Sequence, residues 1–88
     1  MFIFKLGKEG RDLSFLDMFP KKIECNFCGG KARLAFAARE QDLATVEDTC
    51  VYELHDIKPA KFWPRDRIAA AVYICQKCRR ANALWDEA

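Results

Sequence analysis

Apolar residues along this chain fall into short runs, and most of these runs predict strands. The N-terminal FIFKL suits an edge strand or a segment packed on the core. KARLAFAA predicts a strand from Ala32 to about Ala37, and CVYELHDI, AAVYIC and RRANALW predict three more. The pattern therefore predicts a small, mainly β domain with an antiparallel sheet of three or more strands.

Two segments carry helical signals. Ser14 and Asp17 have the spacing of a capping box, which predicts one short helical turn ended by Pro20. An extended segment is the alternative, and in both cases the side chains expected to cover the core are Phe15, Leu16 and Phe19. The second signal is REQDLATVED, residues 39–48, where we expect a short helix although the alternation before it also favours a strand.

Four of the five cysteines form two doublets, each with a gap of two residues. This gap lets the chain turn tightly and aim both sulfurs at one point, and Gly29 and Gly30 supply permissive backbone after the first doublet. Four thiolates suffice for a tetrahedral structural metal site. The candidate ligands are Cys25, Cys28, Cys75 and Cys78.

Two disulfides are the competing interpretation of these cysteines. That interpretation needs a secretory route, and MFIFKLGKEG has too short an apolar stretch before Lys5 for a signal peptide. The odd cysteine count also disfavours it. We therefore expect a metal site in a cytoplasmic protein, or a nuclear one in a eukaryotic cell.

Length and charge set outer bounds on the function. A chain of 88 residues forms one domain with a thin core, so a bound metal is expected to staple it. The longest apolar run, IAAAVYIC, is about half of what a membrane-spanning helix needs, so no membrane association is expected. A formal charge of +2 leaves the partner open.

The two doublets with their flanks, CNFCGGKA and VYICQKCRR, resemble the zinc ribbons, also called rubredoxin-like folds. In that family two cysteine knuckles clamp one metal ion beside a three-stranded antiparallel sheet. The resemblance covers roughly a third of the chain and implies that the four doublet cysteines hold one Zn²⁺ ion. It leaves residues 1–24 as an N-terminal extension packed on or flanking the ribbon. The spacing between the doublets is longer than usual, which makes about residues 38–49 a probable insertion.

The second doublet departs from the family pattern, because Arg79 and Arg80 stand where glycine is usual. A non-glycine residue held in a left-handed conformation costs roughly 1 kcal/mol, which a metal site can offset. Rubredoxins, which carry iron, have glycine after both doublets. We therefore expect zinc here, with iron and electron transfer as the less favoured alternative.

Catalysis is not expected. Cys50 lies in a strand-like run and is expected to be a small buried apolar residue, and His55 lies at an odd interval from it. Four sulfur ligands would leave a zinc ion no open position for water. We expect no enzyme activity and no small-molecule substrate.

The segment KPAKFWPRDR combines cations with flat rings, a composition typical of surfaces that bind single-stranded nucleic acid. The alternative is that its rings pin a bent loop to the core. With the second doublet it gives the candidate binding residues Lys58, Lys61, Phe62, Trp63, Arg65, Arg67, Lys77, Arg79 and Arg80.

The sequence thus predicts a non-catalytic zinc-binding interaction module, an accessory component of nucleic-acid-handling machinery that contacts nucleic acid or an associated protein complex. A protein-protein adaptor with Trp63 as its anchor is the second hypothesis, and the iron electron carrier is the third.

Overall fold

A computed structural model describes residues 2–40 and 67–87 of the chain. These residues form five β-strands and one 3₁₀ helix. The elements are β1 (Phe2–Leu6), the 3₁₀ helix (Gly7–Leu13), β2 (Lys22–Glu24), β3 (Lys31–Glu40), β4 (Ile68–Cys75) and β5 (Ala81–Glu87).

All five strands belong to one antiparallel sheet with β3 near its centre. The order is β1-β3-β4-β5, and β2 pairs with the first part of β3. Because β3 is the longest strand, it can pair with β2 at its start and β1 at its end while β4 lies along its other side. The mainly β, antiparallel prediction from the sequence is therefore confirmed for the described residues.

An irregularity between Leu34 and Phe36 changes which side chains of β3 face the core. Ala32 and Leu34 are buried before it, and Ala37 is buried after it. Such a bulge shifts the two-residue alternation by one position, so that Phe36 moves to the opposite face of the sheet. Simple alternation along KARLAFAA could not reveal this change of phase.

One face of the sheet is covered by the 3₁₀ helix and the segment of residues 14–21. Leu13 and Phe19 are the buried side chains of this covering layer, and Phe15 packs against them. The layer is fastened by Tyr73, whose hydroxyl donates a 2.6 Å hydrogen bond to the carbonyl of Pro20. The core is thin because many of the buried side chains of β3 and β4 are alanines.

The opposite face of the sheet exposes large apolar side chains. Phe4, Leu6 and Trp85 are 56%, 68% and 56% exposed. Phe4 packs on Phe36, with ring centroids 5.1 Å apart. The described part of the protein therefore has one packed sheet face and one open apolar face.

The helical turn predicted after Ser14 is wrong. The helix lies earlier, at Gly7–Leu13, and residues 15–17 form a bend. The Ser14 hydroxyl donates to the carboxylate of Asp86 on β5, which also accepts a 3.1 Å hydrogen bond from the Phe15 amide. The same hydroxyl accepts a 3.1 Å hydrogen bond from the Leu16 amide, so a local contact exists beside the distant one, but no helical turn follows it. Phe15 and Phe19 cover the core as expected, while Leu16 is 73% exposed.

The helix predicted for residues 39–48 does not begin at Arg39. Arg39 and Glu40 belong to β3, and Glu40 is buried with 1% exposure at the end of that strand. The rest of this segment, the strand predicted for CVYELHDI, and Cys50 and His55 lie outside the described residues. Within the described ranges, no helix is long and apolar enough to cross a membrane.

Substitution of Gly10 tests how closely the 3₁₀ helix packs against β3. A Cβ atom at Gly10 would lie 2.8 Å from the Cβ of Ala37 and 3.1 Å from the carbonyl oxygen of Lys5. We expect Gly10→Ala to lower the free energy of unfolding by about 1–3 kcal/mol in urea titration, since overpacking displaces backbone. Glu9→Ala, at an exposed position of the same helix, is the control and should change it by less than about 0.5 kcal/mol. Equal stability of the two variants would contradict this packing.

Candidate metal centre

The two cysteine doublets meet at one end of the sheet. The first knuckle, residues 25–30, joins β2 to β3, and the second knuckle, residues 75–80, joins β4 to β5. Ala32 on β3 pairs with Cys75 on β4, so the β3-β4 ladder brings the knuckles together. The sheet register therefore sets the distance between residues far apart in sequence.

The four thiol sulfurs lie within 4.8 Å of one another. The Sγ atoms of Cys25 and Cys78 are 3.6 Å apart, and those of Cys28 and Cys75 are 3.5 Å apart. A tetrahedral ion with metal–sulfur bonds of about 2.3 Å would hold its sulfurs roughly 3.8 Å apart. All four cysteines are free thiols, at separations well beyond a disulfide bond. The cluster is suited to one metal ion.

Backbone amides point at these sulfurs in both knuckles. The Cys25 sulfur accepts from the Phe27 amide at 3.4 Å, and the Cys75 sulfur accepts from the Lys77 and Cys78 amides at 3.3 and 3.4 Å. The Gly30 amide donates to the Cys28 sulfur at 3.4 Å. The donors to Cys25 and Cys75 favour the thiolate form of these two residues, which is the form that binds metal.

The two knuckles close by equivalent turns. In the first knuckle the Gly29 amide donates to the Cys25 carbonyl, and in the second the Arg79 amide donates to the Cys75 carbonyl, each at 3.0 Å. Gly29 has φ +74° and Arg79 has φ +63°, so both occupy the left-handed region. The strain expected from an arginine after the second doublet is therefore present at Arg79.

Gly30 is required for a different reason. A Cβ atom there would lie 3.3 Å from the Cys28 sulfur and 3.4 Å from the Cys75 sulfur. A side chain at Gly30 would crowd two sulfurs from different knuckles. Gly29 has space for a side chain, but its left-handed backbone favours glycine. The two glycines after the first doublet are therefore required for different reasons, Gly30 for the space around it and Gly29 for its backbone conformation.

Asn82 links the two knuckles, and sequence reasoning missed it. This buried residue of β5 donates from Nδ2 to the Cys25 sulfur at 3.5 Å, and its Oδ1 accepts from the Asn26 amide at 2.8 Å. The same Nδ2 lies 3.4 Å from the Arg80 carbonyl. The only sequence signal was a polar residue inside a strand-like run, which does not point to a role beside the cysteines.

The pKa values of the cluster cysteines are shifted in different directions. Burial opposes ionisation of Cys25, but hydrogen bonds from Asn82 and from the Phe27 and Cys28 amides outweigh it and lower the pKa of Cys25 to about 6. The Cys78 amide is the main cause of the lowered pKa of Cys75. The Arg80 amide lowers the pKa of Cys78, but burial and the neighbouring thiols raise it to about 11. Four thiolates at this distance repel one another, so full ionisation requires a cation among them.

The predicted binding residues do not form one surface in the described part of the chain. Lys77, Arg79 and Arg80 are exposed on the second knuckle. Arg67 precedes β4 at the opposite end of the sheet, with its guanidinium 5.4 Å from the centroid of the Phe15 ring. The remaining candidates lie outside the described residues, namely Lys58, Lys61, Phe62, Trp63 and Arg65.

Comparisons with protein-family models, with curated proteins and with solved structures found no match for this chain. The functional argument therefore rests on the cysteine cluster and its surroundings.

Gly29 and Arg79 should respond to substitution in opposite directions. The nearest atom to a Cβ at Gly29 is the Glu24 Oε1 at 3.7 Å, so Gly29→Ala adds no clash and should cost about 1–2 kcal/mol for its left-handed backbone alone. Arg79→Gly removes that strain and should stabilise by up to about 1 kcal/mol. Urea titration of the metal-loaded protein measures both. Destabilisation by both substitutions would contradict the equivalence of the turns.

Asn82→Ala should weaken metal binding about 10- to 100-fold, because partners that orient metal ligands typically contribute this much. A competition titration with a chromophoric chelator measures the affinity. Ala81→Ser changes a neighbouring exposed residue of β5 and serves as the control. An unchanged affinity in Asn82→Ala would show that the hydrogen bond to Cys25 does not support the site.

Proposed function

We propose that this protein is a zinc-ribbon module in which Cys25, Cys28, Cys75 and Cys78 hold one structural Zn²⁺ ion. The observation that supports the proposal most strongly is the clustering of four sulfurs from two equivalent knuckles within 4.8 Å. Tetrahedral thiolate sites bind zinc or iron, and the charged second knuckle favours a docking surface over an electron-transfer patch. When bound, zinc supplies a rigid link between the knuckles.

The proposed role is binding, not catalysis. Four sulfur ligands complete a tetrahedral coordination shell, which leaves no position at which zinc could activate water. The partner we propose is nucleic acid or a nucleic-acid-associated protein complex. The exposed cations Lys77, Arg79 and Arg80 at the tip of the second knuckle support this partner, since cations at an exposed tip can reach phosphates.

A protein-protein adaptor is the second candidate. Its supporting observation is the open sheet face, where Phe4, Leu6 and Trp85 are more than half exposed. Exposed apolar patches of this kind commonly mark protein interaction sites.

Metal removal should unfold much of the domain. A structural zinc ion contributes on the order of 10 kcal/mol, comparable with the whole stability of a small domain. We expect the purified protein to be colourless, and a chelator to reduce its β-sheet circular dichroism and abolish its cooperative melting transition. Cys78→Ser should lose metal, while Cys50→Ser, which changes the one cysteine outside the doublets, should retain it. Unchanged dichroism and melting temperature after chelation would refute the structural role of the metal.

Nucleic-acid binding is tested with a fluorescent single-stranded oligonucleotide and the zinc-loaded protein. We expect binding at low salt that weakens as salt rises, because phosphate contacts release counterions. Lys61→Ala combined with Trp63→Ala should weaken it further if those side chains contact the strand. No binding at low salt would remove nucleic acid as the partner and favour the adaptor.

A further inference from the structure

Four basic side chains, from the 3₁₀ helix, the segment of residues 14–21, β2 and β3, line one groove. The groove has a volume of about 500 Å³ and is lined by Lys8, Lys21, Lys22, Arg33 and Leu34. No carboxylate is among these lining residues. None of the four cations belongs to the binding residues that the sequence predicts.

Backbone pairing fixes the position of these cations. Lys22 on β2 is the direct partner of Arg33 on β3, so their side chains leave the same face of the sheet. The Lys21 carbonyl accepts a 3.0 Å hydrogen bond from the Leu34 amide, which holds Lys21 beside the pair. Lys8 comes from the 3₁₀ helix. The sheet register thus gathers charges that are spread along the sequence.

Positive charge exceeds negative charge around the groove. All four groove cations are exposed. Adjacent like charges repel, so a bound polyanion would relieve this repulsion.

The basic groove continues toward the metal centre. A second cavity of about 320 Å³ shares Lys22 with it and reaches Gly29, Gly30 and Lys31. Lys31 lies two residues before Arg33 on β3 and so follows it on the same face. Glu24 lies opposite Lys31 in the β2–β3 ladder and is the single acidic residue lining this second cavity. Together these residues form a basic track along β3.

The first knuckle, whose Gly29 and Gly30 line the second cavity, also carries an exposed aromatic ring. Phe27, at the tip of the first knuckle, is 58% exposed, and the guanidinium of Arg80 lies 4.9 Å from its centroid. A groove of cations that leads to an exposed ring is the arrangement by which proteins hold the backbone and stack the bases of single strands. An acidic peptide would use the charges but not the ring.

We infer that the track formed by Lys8, Lys21, Lys22, Lys31 and Arg33 binds the phosphate backbone of a single-stranded nucleic acid, with Phe27 available to stack on a base. This inference rests on the proposed function, since it names the surface through which the module would contact nucleic acid.

The test compares two zinc-loaded variants that each remove two positive charges. Lys22→Gln with Arg33→Gln neutralises the centre of the track, and Lys77→Gln with Arg79→Gln neutralises part of the second knuckle while leaving Arg80 on the Phe27 ring. Binding of a fluorescent single-stranded oligonucleotide is measured between about 50 mM and 500 mM salt. Because the track variant can no longer neutralise two phosphates, its salt slope should fall by about 1.4 and its affinity at about 50 mM salt should fall roughly 50-fold.

Further measurements separate the alternatives. Lys22→Arg with Arg33→Lys keeps the charge and should retain most of the binding, while zinc content and circular dichroism check that each variant folds. A labelled poly-glutamate of matched charge should bind more weakly than the oligonucleotide, and Phe27→Ala should weaken only the oligonucleotide.

The outcomes are distinguishable. Loss of oligonucleotide binding in the track variant, with a smaller loss in the knuckle variant, supports the inference. Undiminished binding in the track variant overturns it while leaving the proposed function intact. Equal binding of poly-glutamate, with no effect of Phe27→Ala, overturns nucleic acid as the ligand of the track. No oligonucleotide binding by the unaltered protein overturns both the inference and the nucleic-acid part of the proposed function.

Discussion

The rest of this structure depends on one constraint: four thiols held within 4.8 Å of one another would repel if all of them ionised without a cation among them. Backbone amides and Asn82 lower the pKa of Cys25, yet the neighbouring thiols and burial raise the pKa of Cys78. A cation resolves this conflict because it lets all four sulfurs ionise together. The same cation would join β2, β3, β4 and β5 at one end of a sheet whose core is otherwise thin. In this account the sheet would position the four sulfurs, and a bound metal ion would in turn hold these strands together.

The cysteine cluster could be anticipated from sequence because its signal is local within each doublet. Two residues between cysteines determine how a knuckle turns, and Gly29 marks the left-handed position that the turn requires. Asn82 could not be found in this way. Its role depends on β5 lying beside the first knuckle, and that placement follows from pairing across the whole sheet. Local patterns cannot supply such long-range register.

The differences between the expected and observed elements have a similar origin. The Ser14 hydroxyl does accept a local hydrogen bond from the Leu16 amide, but it also donates to Asp86 on β5, and a bend follows it instead of a helical turn. The bulge near Phe36 likewise changes which side chains are buried without a glycine or proline to mark it. The basic track was missed because Lys8, Lys22 and Arg33 are far apart in sequence: β2–β3 pairing joins Lys22 to Arg33, and the 3₁₀ helix brings Lys8 to the same groove. Searches for clustered cations along a chain favour segments such as KPAKFWPRDR instead.

X-ray absorption at the metal edge tests the central claim most directly, because it reports the identity of the ion and its ligand atoms in the intact protein. The account predicts zinc surrounded by four sulfur atoms at about 2.3 Å, with no nitrogen or oxygen ligand. It also predicts that Cys28→Ser replaces one sulfur by a lighter atom. A protein purified without metal, or a zinc ion with nitrogen or oxygen in its coordination shell, would contradict the account.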